Sequence, residues 1–332
     1  MTNLDENTGQ IAGKLIAHLR EELHDTTIGY ESPLTRLQGG YETATYQFQL
    51  KGAPEELSRR LVLRLYPEFY GPENAVRESS VQNALAKEGY PVARAYFTCT
   101  DKSILGGAFF IMEFLSGKLM INAPVDTMPG MLGKAHAALH RIDPESLIKS
   151  LIQHGIDESK YRLASRFAYL QNIAKDLSWI CGGVDWLMEN RPPEPERLTI
   201  CHGDFHPLNI LIQDGTVTGV LDWPGFLIAD PSLDVANTLF LTTVPFKLLV
   251  SSVLGPDFAS VDLERTSQLY LDAYRTRLPL DSTNLDYYKV RRSIHALVEG
   301  VRGQQVWRHP MIVKDLIDII HKIAGIRITM PD

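Results

Sequence analysis

The spacing of apolar residues changes along this chain from helical to strand-like and back. Residues 11–23 place apolar side chains three or four positions apart, which predicts an amphipathic helix. Residues 45–50 alternate polar with apolar side chains, and residues 61–65 are almost wholly apolar. These two segments predict strands, the second more deeply buried. Residues 38–42 contain two adjacent glycines and are predicted to form a tight turn between two antiparallel strands.

Helical patterns then take over. Residues 74–87 predict a helix that ends before Gly89 and Pro91, and residues 108–112 predict a short apolar strand. From about residue 128 onward the spacing is mainly helical, interrupted by short predicted strands near residue 200 and over residues 210–221. A small sheet followed by many helices indicates an α+β chain.

The length of the chain favours two lobes. Its 332 residues exceed one ordinary core, and 44% hydrophobic residues are enough to fill two. We predict a small antiparallel β-sheet lobe over residues 1–115, including the N-terminal helix. A larger, mainly helical lobe is predicted over residues 116–332.

Charge and cysteine content exclude several classes of protein. A net charge of -7 lacks the basic footprint of a nucleic-acid-binding protein. The three cysteines (Cys99, Cys181 and Cys201) lie far apart, which argues against a disulfide framework or a zinc ribbon. The N-terminus is acidic and polar, unlike a secretory signal, and the most apolar later stretch, residues 239–254, is too short to span a bilayer. We expect a cytoplasmic protein without a nucleic-acid or membrane partner.

Three polar side chains in residues 199–223 have the chemistry of a phosphoryl-transfer site. Asp204 lies in a polar loop between apolar segments, and Asn209 follows five positions later. A predicted hairpin turn at Asp214 and Gly215 returns the chain toward Asp222, so the three side chains are expected at the mouth of one hairpin. In phosphoryl transfer one carboxylate accepts the proton of the attacking hydroxyl, while a second carboxylate and a neutral oxygen hold Mg²⁺.

These residues also carry a family resemblance. Residues 202–209 read His-Gly-Asp-Phe-His-Pro-Leu-Asn, and Asp222 is followed by Trp223. The pair resembles the HGD-x-H-x-x-N and D-W signatures of the aminoglycoside phosphotransferase and choline kinase family. The resemblance implies a protein-kinase-like fold, ATP as donor with GTP not excluded, Asp204 as catalytic base, and Asn209 and Asp222 as Mg²⁺ ligands.

The resemblance extends to two helical segments beside the motif. Residues 230–236 resemble the family's segment after the metal ligand, which implies that Asp234 braces the catalytic loop through the loop's backbone. A plain helix N-terminus with an aspartate or serine cap explains the same residues. Residues 132–140 resemble the family's long helix, in which His136 and His140 are expected to be packing residues.

The first lobe contains a matching nucleotide pattern. Arg64 lies mid-strand and Glu78 on the following helix, the layout in which a cation reaches the phosphates and a carboxylate braces it. Arginine replaces the lysine of the kinase template, but it can grip phosphate oxygens bidentately and stays charged. An outward-facing strand residue is the alternative for Arg64. Gly39 and Gly40 are expected to cover the triphosphate with backbone N–H groups, although a simple hairpin explains them too.

The predicted boundary between the lobes resembles the family's connector. There the backbone groups of Glu113 and Leu115 would bond the adenine edge, and an apolar strand running into a loop is the alternative. The acceptor is expected in the helical lobe. Because residues 288–308 are rich in lysine and arginine, the pattern disfavours a polycationic aminoglycoside. Sugars, amino alcohols, hydroxy acids and macrolide-like alcohols remain open, and so does the oligomeric state.

Two other functions fit parts of the pattern. His202, Asp204 and His206 alternate as H-x-D-x-H, a set that could ligate zinc in a hydrolase. A kinase fold that binds nucleotide without catalysis is the other alternative, for which Arg64 is the main argument. The intact set of Asp204, Asn209 and Asp222 favours a Mg²⁺-dependent kinase of a small hydroxyl compound.

Overall fold

The structure is a computed structural model that describes residues 3–37, 43–246, 248 and 261–330, with side chains from residue 7 onward. It contains two compact units. The first comprises Met1–Gly117, Glu145–Ile156 and Thr218–Pro224, and the second comprises Lys118–Pro144, Asp157–Val217 and Gly225–Asp332. The first unit therefore extends to Gly117, two residues past the predicted boundary, and includes two further segments from later in the chain. The predicted glycine turn with Gly39 and Gly40 lies outside the described residues.

The described helices and strands are numbered here in chain order. The helices are α1 (Asn3–Glu22), α2 (Glu73–Lys87), α3 (Lys102–Leu105), α4 (Met128–His140), α5 (Glu145–Gln153), α6 (Ala164–Ala174), α7 (Cys181–Glu189), α8 (Pro231–Leu241), α9 (Leu263–Arg275), α10 (Leu285–Val301) and α11 (Pro310–Ala324). The strands are β1 (Gly29–Arg36), β2 (Ala44–Lys51), β3 (Arg60–Leu65), β4 (Ala95–Cys99), β5 (Phe109–Glu113), β6 (Lys118–Leu119), β7 (Thr199–Cys201), β8 (Ile210–Gln213), β9 (Thr216–Val220) and β10 (Leu227–Ala229).

The first unit is built on a five-stranded sheet in the order β1-β2-β3-β5-β4, with every neighbouring pair antiparallel. The predicted strands at residues 45–50, 61–65 and 108–112 are confirmed as β2, β3 and β5. The two edge strands were predicted less well: the turn at residues 38–42 implied a strand before it without giving the bounds of β1, and β4 was missed. Both break the alternation, since Pro33 lies in β1 and the pairing of β4 shifts between Ala95 and Phe97.

The pleat of the sheet separates two apolar layers. Leu63 of β3 points to one face, where Leu15 of α1 is fully buried in the same cluster. Burying a leucine side chain contributes about 1.5–3 kcal/mol. Phe110 of β5 points to the other face and packs with Ala75 of α2. Because side chains alternate along a strand, Arg64 is directed to the face that α2 covers.

The second unit is mainly helical. Helix α10 packs against α7, α8 and α11, and α4 lies along α9. Short antiparallel pairs join β7 to β10 and β6 to β8. Strand β7 leads into the polar loop at residues 202–209 and β8 leaves it, so both ends of that loop are held by strand pairing.

Among the described residues, no helix combines the length and apolar character needed to cross a membrane.

Candidate active site

Arg64 and Glu78 form a buried ion pair in the first unit. Their side chains are 10% and 2% exposed, and Arg64 Nε lies 2.9 Å from Glu78 Oε2. Arg64 Nη2 also donates to Asp222 Oδ1 at 2.7 Å. The structure therefore brings three sequence-predicted site residues together around one guanidinium group, and the alternative of an outward-facing arginine is wrong.

The pair is braced from two more directions. Glu78 accepts hydrogen bonds from the Tyr66 hydroxyl and, at 3.2 Å, from the backbone N–H of Trp223. Burial disfavours the charged form of Arg64, but the carboxylates of Glu78 and Asp222 outweigh burial and hold the pKa of the guanidinium above its ordinary value. Arg64 is therefore a permanently charged group in a fixed position.

Asp222 occupies an unusual backbone conformation. Its φ is 67°, in the left-handed region that few non-glycine residues adopt, and its side chain is 44% exposed. The next residue, Trp223, is fully buried, and its ring N–H donates to the carbonyl of Val220 at 3.0 Å. The buried tryptophan anchors the turn, so the Asp222 carboxylate is presented at a defined place despite its exposure.

Asp204 and Asn209 meet in the polar loop of the second unit. Asn209 Nδ2 donates to both Asp204 Oδ2 and the Asp204 carbonyl, each at 3.0 Å. His206 Nε2 lies 3.2 Å from Asp204 Oδ2, and its Nδ1 accepts from the Leu208 N–H, which identifies Nε2 as the protonated nitrogen. The Asp204 side chain is 43% exposed, so the carboxylate is positioned and still accessible.

The environment of Asp204 favours its charged form. Burial opposes that form, but the hydrogen bond from His206 and the nearby positive charge of Arg292 outweigh it and hold the pKa of the carboxyl below its ordinary value. Asp204 is therefore ionised at neutral pH and can accept a proton. The sequence analysis weighed His206 only as a zinc ligand and missed this positioning role.

Gly203 forms the tight start of the loop. Its φ is 84°, and a Cβ placed there would lie 2.6 Å from the carbonyl oxygen of Gly225. Only glycine fits both conditions, because a side chain is strained at this φ and the neighbouring backbone cannot easily move.

Replacing Gly203 with alanine is expected to destabilise the chain by more than the ~1–2 kcal/mol that a left-handed backbone costs a non-glycine residue. Urea unfolding measures the loss. Gly215→Ala is the matched control, because Gly215 has φ 74° but a Cβ there meets nothing within 4 Å. If the two variants lose the same free energy of unfolding, the close approach of residue 203 to Gly225 does not contribute to the cost.

The Asp234 carboxylate on α8 accepts hydrogen bonds from the backbone at the start of the polar loop. Its Oδ2 accepts the His202 N–H at 2.6 Å, and its Oδ1 accepts the Gly203 N–H at 2.8 Å. This is the bracing role that the family resemblance implied for Asp234. Asp230, four residues earlier, caps α8 by accepting from the Ser232 N–H. Capping and bracing therefore belong to two different aspartates.

Two histidines provide the remaining hydrogen-bond contacts of the Asp234 carboxylate. Nε2 of His136 and Nε2 of His140 lie 3.0 and 3.2 Å from Asp234 Oδ2. Their Nδ1 atoms each lie 2.7 Å from a tyrosine hydroxyl, of Tyr270 and Tyr274 respectively. We call these five residues the Asp234 network. His136 and His140 are buried as expected, but they are hydrogen-bonding residues and not only packing residues.

The protonation states in this network follow from burial. Burial and the neighbouring His140 lower the pKa of His136 to about 4, so its ring is neutral, with Nε2 as the donor to Asp234. Hydrogen bonds from both histidines outweigh burial and hold the pKa of Asp234 well below its ordinary value. The sequence signal for the network is the i, i+4 repeat of histidine on α4 and of tyrosine on α9, which places each pair on one helix face.

The predicted adenine contacts lie at the end of β5. The Glu113 N–H donates to the Arg94 carbonyl at 2.9 Å, while the Phe114 N–H donates to the Arg60 carbonyl of β3 at 3.1 Å. Because the N–H and C=O of one strand residue point the same way, the Glu113 carbonyl faces away from β3. Base recognition by Glu113 and Leu115 stays a prediction.

The zinc alternative does not fit the loop. Within the part of the chain that the structure describes, the histidine and carboxylate groups close enough to share a cation are His136, His140 and Asp234, and not His202, Asp204 and His206. His202 is fully buried, and its Nδ1 accepts the Asp204 N–H at 3.2 Å. The H-x-D-x-H spacing forms a turn, and a hydrolase site on these three residues was a wrong interpretation.

Comparisons with known proteins agree with this geometry. Residues 33–275 match the phosphotransferase enzyme family. Human acyl-CoA dehydrogenase family member 11 is 26% identical over 223 residues, which is 63% of this chain and 26% of that protein. The chain therefore spans about a quarter of the length of such relatives. The aminoglycoside 3'-phosphotransferase of Streptomyces fradiae is 25% identical over 236 residues, 68% of this chain and 84% of that protein.

A solved structure shares the fold. A thermostable mutant of the aminoglycoside phosphotransferase APH(4)-Ia, in ternary complex with AMP-PNP and hygromycin B, matches with a TM-score of 0.58 at 18% identity. The match covers 94% of this chain and 99% of that one. The predicted α+β, protein-kinase-like fold is confirmed. On the extent of the family match, which includes the polar loop, Arg64 and Asp222, this chain belongs to the phosphotransferase enzyme family.

Proposed function

We propose that this chain is a kinase that transfers the γ-phosphoryl group of ATP to a hydroxyl group of a small molecule, with Mg²⁺ as cofactor. GTP remains an alternative donor. The observation that carries the proposal is the state of Asp204, an ionised and accessible carboxylate that Asn209 and His206 hold in place. A positioned base of this kind is what a hydroxyl acceptor requires.

In the proposed reaction Asp204 receives the proton of the acceptor hydroxyl. The hydroxyl oxygen forms a bond to the γ-phosphorus as the bond from that phosphorus to the leaving oxygen of ADP breaks. Asp204 first orients the hydroxyl by accepting its hydrogen bond, and it then holds the proton. Because the carboxylate is fixed by two donors, little rearrangement is needed before transfer.

The donor set fits a hard cation. The amide nitrogen of Asn209 is engaged by Asp204, which leaves the amide oxygen as its ligand atom, and Asp222 adds a half-exposed carboxylate. Oxygen ligands of this kind suit Mg²⁺. We assign both residues as its ligands on the family resemblance. When bound, Mg²⁺ neutralises negative charge on the phosphate oxygens.

We assign the nucleotide contacts to residues of the first unit. Arg64, fixed by Glu78, is proposed to bind phosphate oxygens, for which its partnership with Asp222 must loosen. Gly39 and Gly40 are proposed to cover the phosphates, and Glu113 and Leu115 to contact the base. The fold shared with a protein solved with AMP-PNP and hygromycin B supports a nucleotide donor and a small-molecule acceptor.

The first test is nucleotide binding. ATP with Mg²⁺ is expected to raise the melting temperature of the wild type, since a ligand at 100 times its Kd stabilises the folded state by about 2.7 kcal/mol. In Asp222→Ala the magnesium-dependent part of this rise is expected to disappear. Thermal-shift titrations with ATP and GTP, with and without Mg²⁺, measure both effects.

Asp214→Ala is the matched control for the backbone. Asp214 is exposed and, like Asp222, has a positive φ, of 51°, so both variants meet the same backbone strain. A rise that survives in Asp222→Ala would contradict the assigned metal role. Nucleotide binding without phosphoryl transfer to any of a broad set of alcohols would favour the non-catalytic alternative.

A further inference from the structure

A group of positive charges gathers on one face of the second unit. Arg291, Arg292, His295, Glu299 and Arg302 follow one another at short intervals on α10 and its C-cap, and the spacing places them along one helix face. Arg166 of α6 acts electrostatically on both Arg291 and His295. We call the four arginines, Arg166, Arg291, Arg292 and Arg302, the arginine cluster.

Arg291 is the unusual member of the cluster. The residue is only 5% exposed, and its Nε is buried without a hydrogen-bond acceptor. Within the described residues, no carboxylate pairs with Arg291, and the ring of Phe167 lies 5.9 Å from its guanidinium carbon. Burial and the charges of Arg166 and Arg292 lower its pKa to about 10, so it remains charged at neutral pH. A buried charge without a counter-ion is costly, and an anionic ligand would remove that cost.

The other members of the cluster are held in place. Arg292 Nη1 lies 2.9 Å from Glu299 Oε2, and its guanidinium stacks on Trp307 at 4.8 Å. Arg302 Nη1 donates to the Tyr169 hydroxyl at 2.9 Å. Glu299 pairs with Arg292, whereas Arg302 has a neutral partner and Arg291 has no carboxylate partner among the described residues. The face is therefore electropositive and lined by aromatic rings.

The cluster lies within electrostatic reach of the proposed base. The Arg292 guanidinium stacks on Phe240 of α8 at 5.2 Å, and Thr238 of the same helix donates to the carbonyl of Phe205, the residue after Asp204, at 2.9 Å. In keeping with this placement, the positive charge of Arg292 contributes to holding the pKa of Asp204 below its ordinary value. Both residues belong to the second unit, so the relation is internal to it. A small acceptor whose hydroxyl meets Asp204 can thus present a second group to these arginines.

We infer that Arg291, with Arg292 and Arg302 beside it, binds an anionic group of the hydroxyl acceptor, either a carboxylate or a phosphate. This inference rests on the proposed kinase function and narrows its substrate class. The planar guanidinium matches the two oxygens of either anion, and such charge-assisted pairs are strong when shielded from water. A polycationic acceptor would meet like charges on the same face.

Melting temperatures with acceptor compounds alone test the subsite apart from phosphoryl transfer. The probes are short hydroxycarboxylic acids, their neutral N-methylamides, and the corresponding hydroxyalkyl phosphates. In the wild type, the hydroxycarboxylic acids or the hydroxyalkyl phosphates are expected to raise the melting temperature, and the amides are not. Whichever of the two anionic compound classes raises the melting temperature identifies the anion that the subsite binds. In Arg291→Met the rise is expected to vanish, and in turnover assays the KM for the anionic acceptor is expected to increase about tenfold to a hundredfold.

Arg291→Met is also expected to keep or raise the melting temperature without ligand, because methionine fills a similar volume without a buried charge. Arg291→Lys is expected to recover part of the binding. The control, Lys289→Met, removes the same charge from α10 at a surface ion pair with Asp286 and should leave acceptor binding unchanged.

Two results would overturn the inference. The first is an equal rise in the melting temperature of the wild type with the amides and with the acids. The second is a rise with the anionic compounds that persists in Arg291→Met. Neither depends on ATP. If nucleotide fails to bind while the anion response appears, the proposed kinase function fails and the subsite stands.

Discussion

Asp204→Asn is expected to lower kcat about 10²–10⁴-fold while leaving the Kd of the nucleotide close to that of the wild type. The amide has the shape of the carboxylate but cannot accept the proton of the acceptor hydroxyl. Asn209 donates to Asp204 at two oxygens, and one of these, the backbone carbonyl, is untouched by the change. The loop should therefore keep its conformation. Transfer of labelled γ-phosphate to an acceptor that the wild type uses measures kcat.

A matched control exists on the following hairpin. Asp214→Asn makes the same chemical change at an exposed turn residue, and asparagine tolerates its left-handed backbone. We expect wild-type turnover from it. If Asp204→Asn also turned over at the wild-type rate, Asp204 would not be the base, and the proposed mechanism would have to be abandoned.

Asp234→Asn is expected to reduce the free energy of unfolding by more than the ~1–3 kcal/mol that one unsatisfied buried donor costs, because several donors lose their acceptor at once. The Asp234 carboxylate accepts two backbone N–H groups and faces two histidine Nε2 atoms. An amide offers one acceptor oxygen, and its NH₂ group would point at donors. Urea unfolding gives the change, and the phosphoryl-transfer rate reports whether the loop at residues 202–204 is still held.

The appropriate comparison is a surface aspartate. Asp286 pairs with Lys289 on the exposed side of α10, and Asp286→Asn should cost at most about 1 kcal/mol. If the two substitutions cost the same, the Asp234 network would contribute no more than a surface ion pair, and bracing of the loop would need another origin.

The local motifs were predictable because their residues are close in sequence. Asp204 and Asn209 are five positions apart on one loop between two strands, so local spacing was enough to place them together. Arg64 and Glu78 were also predictable, because strand alternation directs Arg64 to the face that the next helix covers. The bounds of β1 were not predicted and β4 was missed, because Pro33 in β1 and the register shift in β4 disturb the alternation on which strand prediction depends.

The Asp234 network could not be derived in the same way. His136 and Tyr270 are 134 positions apart, and a hydrogen bond between them depends on α4 lying along α9. Spacing can place two histidines on one helix face, but it cannot say what that face meets. The same holds for Arg291: its lysine- and arginine-rich surroundings were visible in the sequence, but its burial without a carboxylate partner among the described residues was not.

The sequence by itself determined the α+β fold class through its periodicity. Through the resemblance of residues 202–209 and 222–223 it also indicated the phosphotransferase family and the residue types of the polar loop. Only the tertiary structure decided which carboxylate braces that loop, that His206 contacts Asp204, and that Arg291 is buried without a carboxylate partner among the described residues. These properties depend on burial and on contacts between distant helices, and both arise only when the chain is packed.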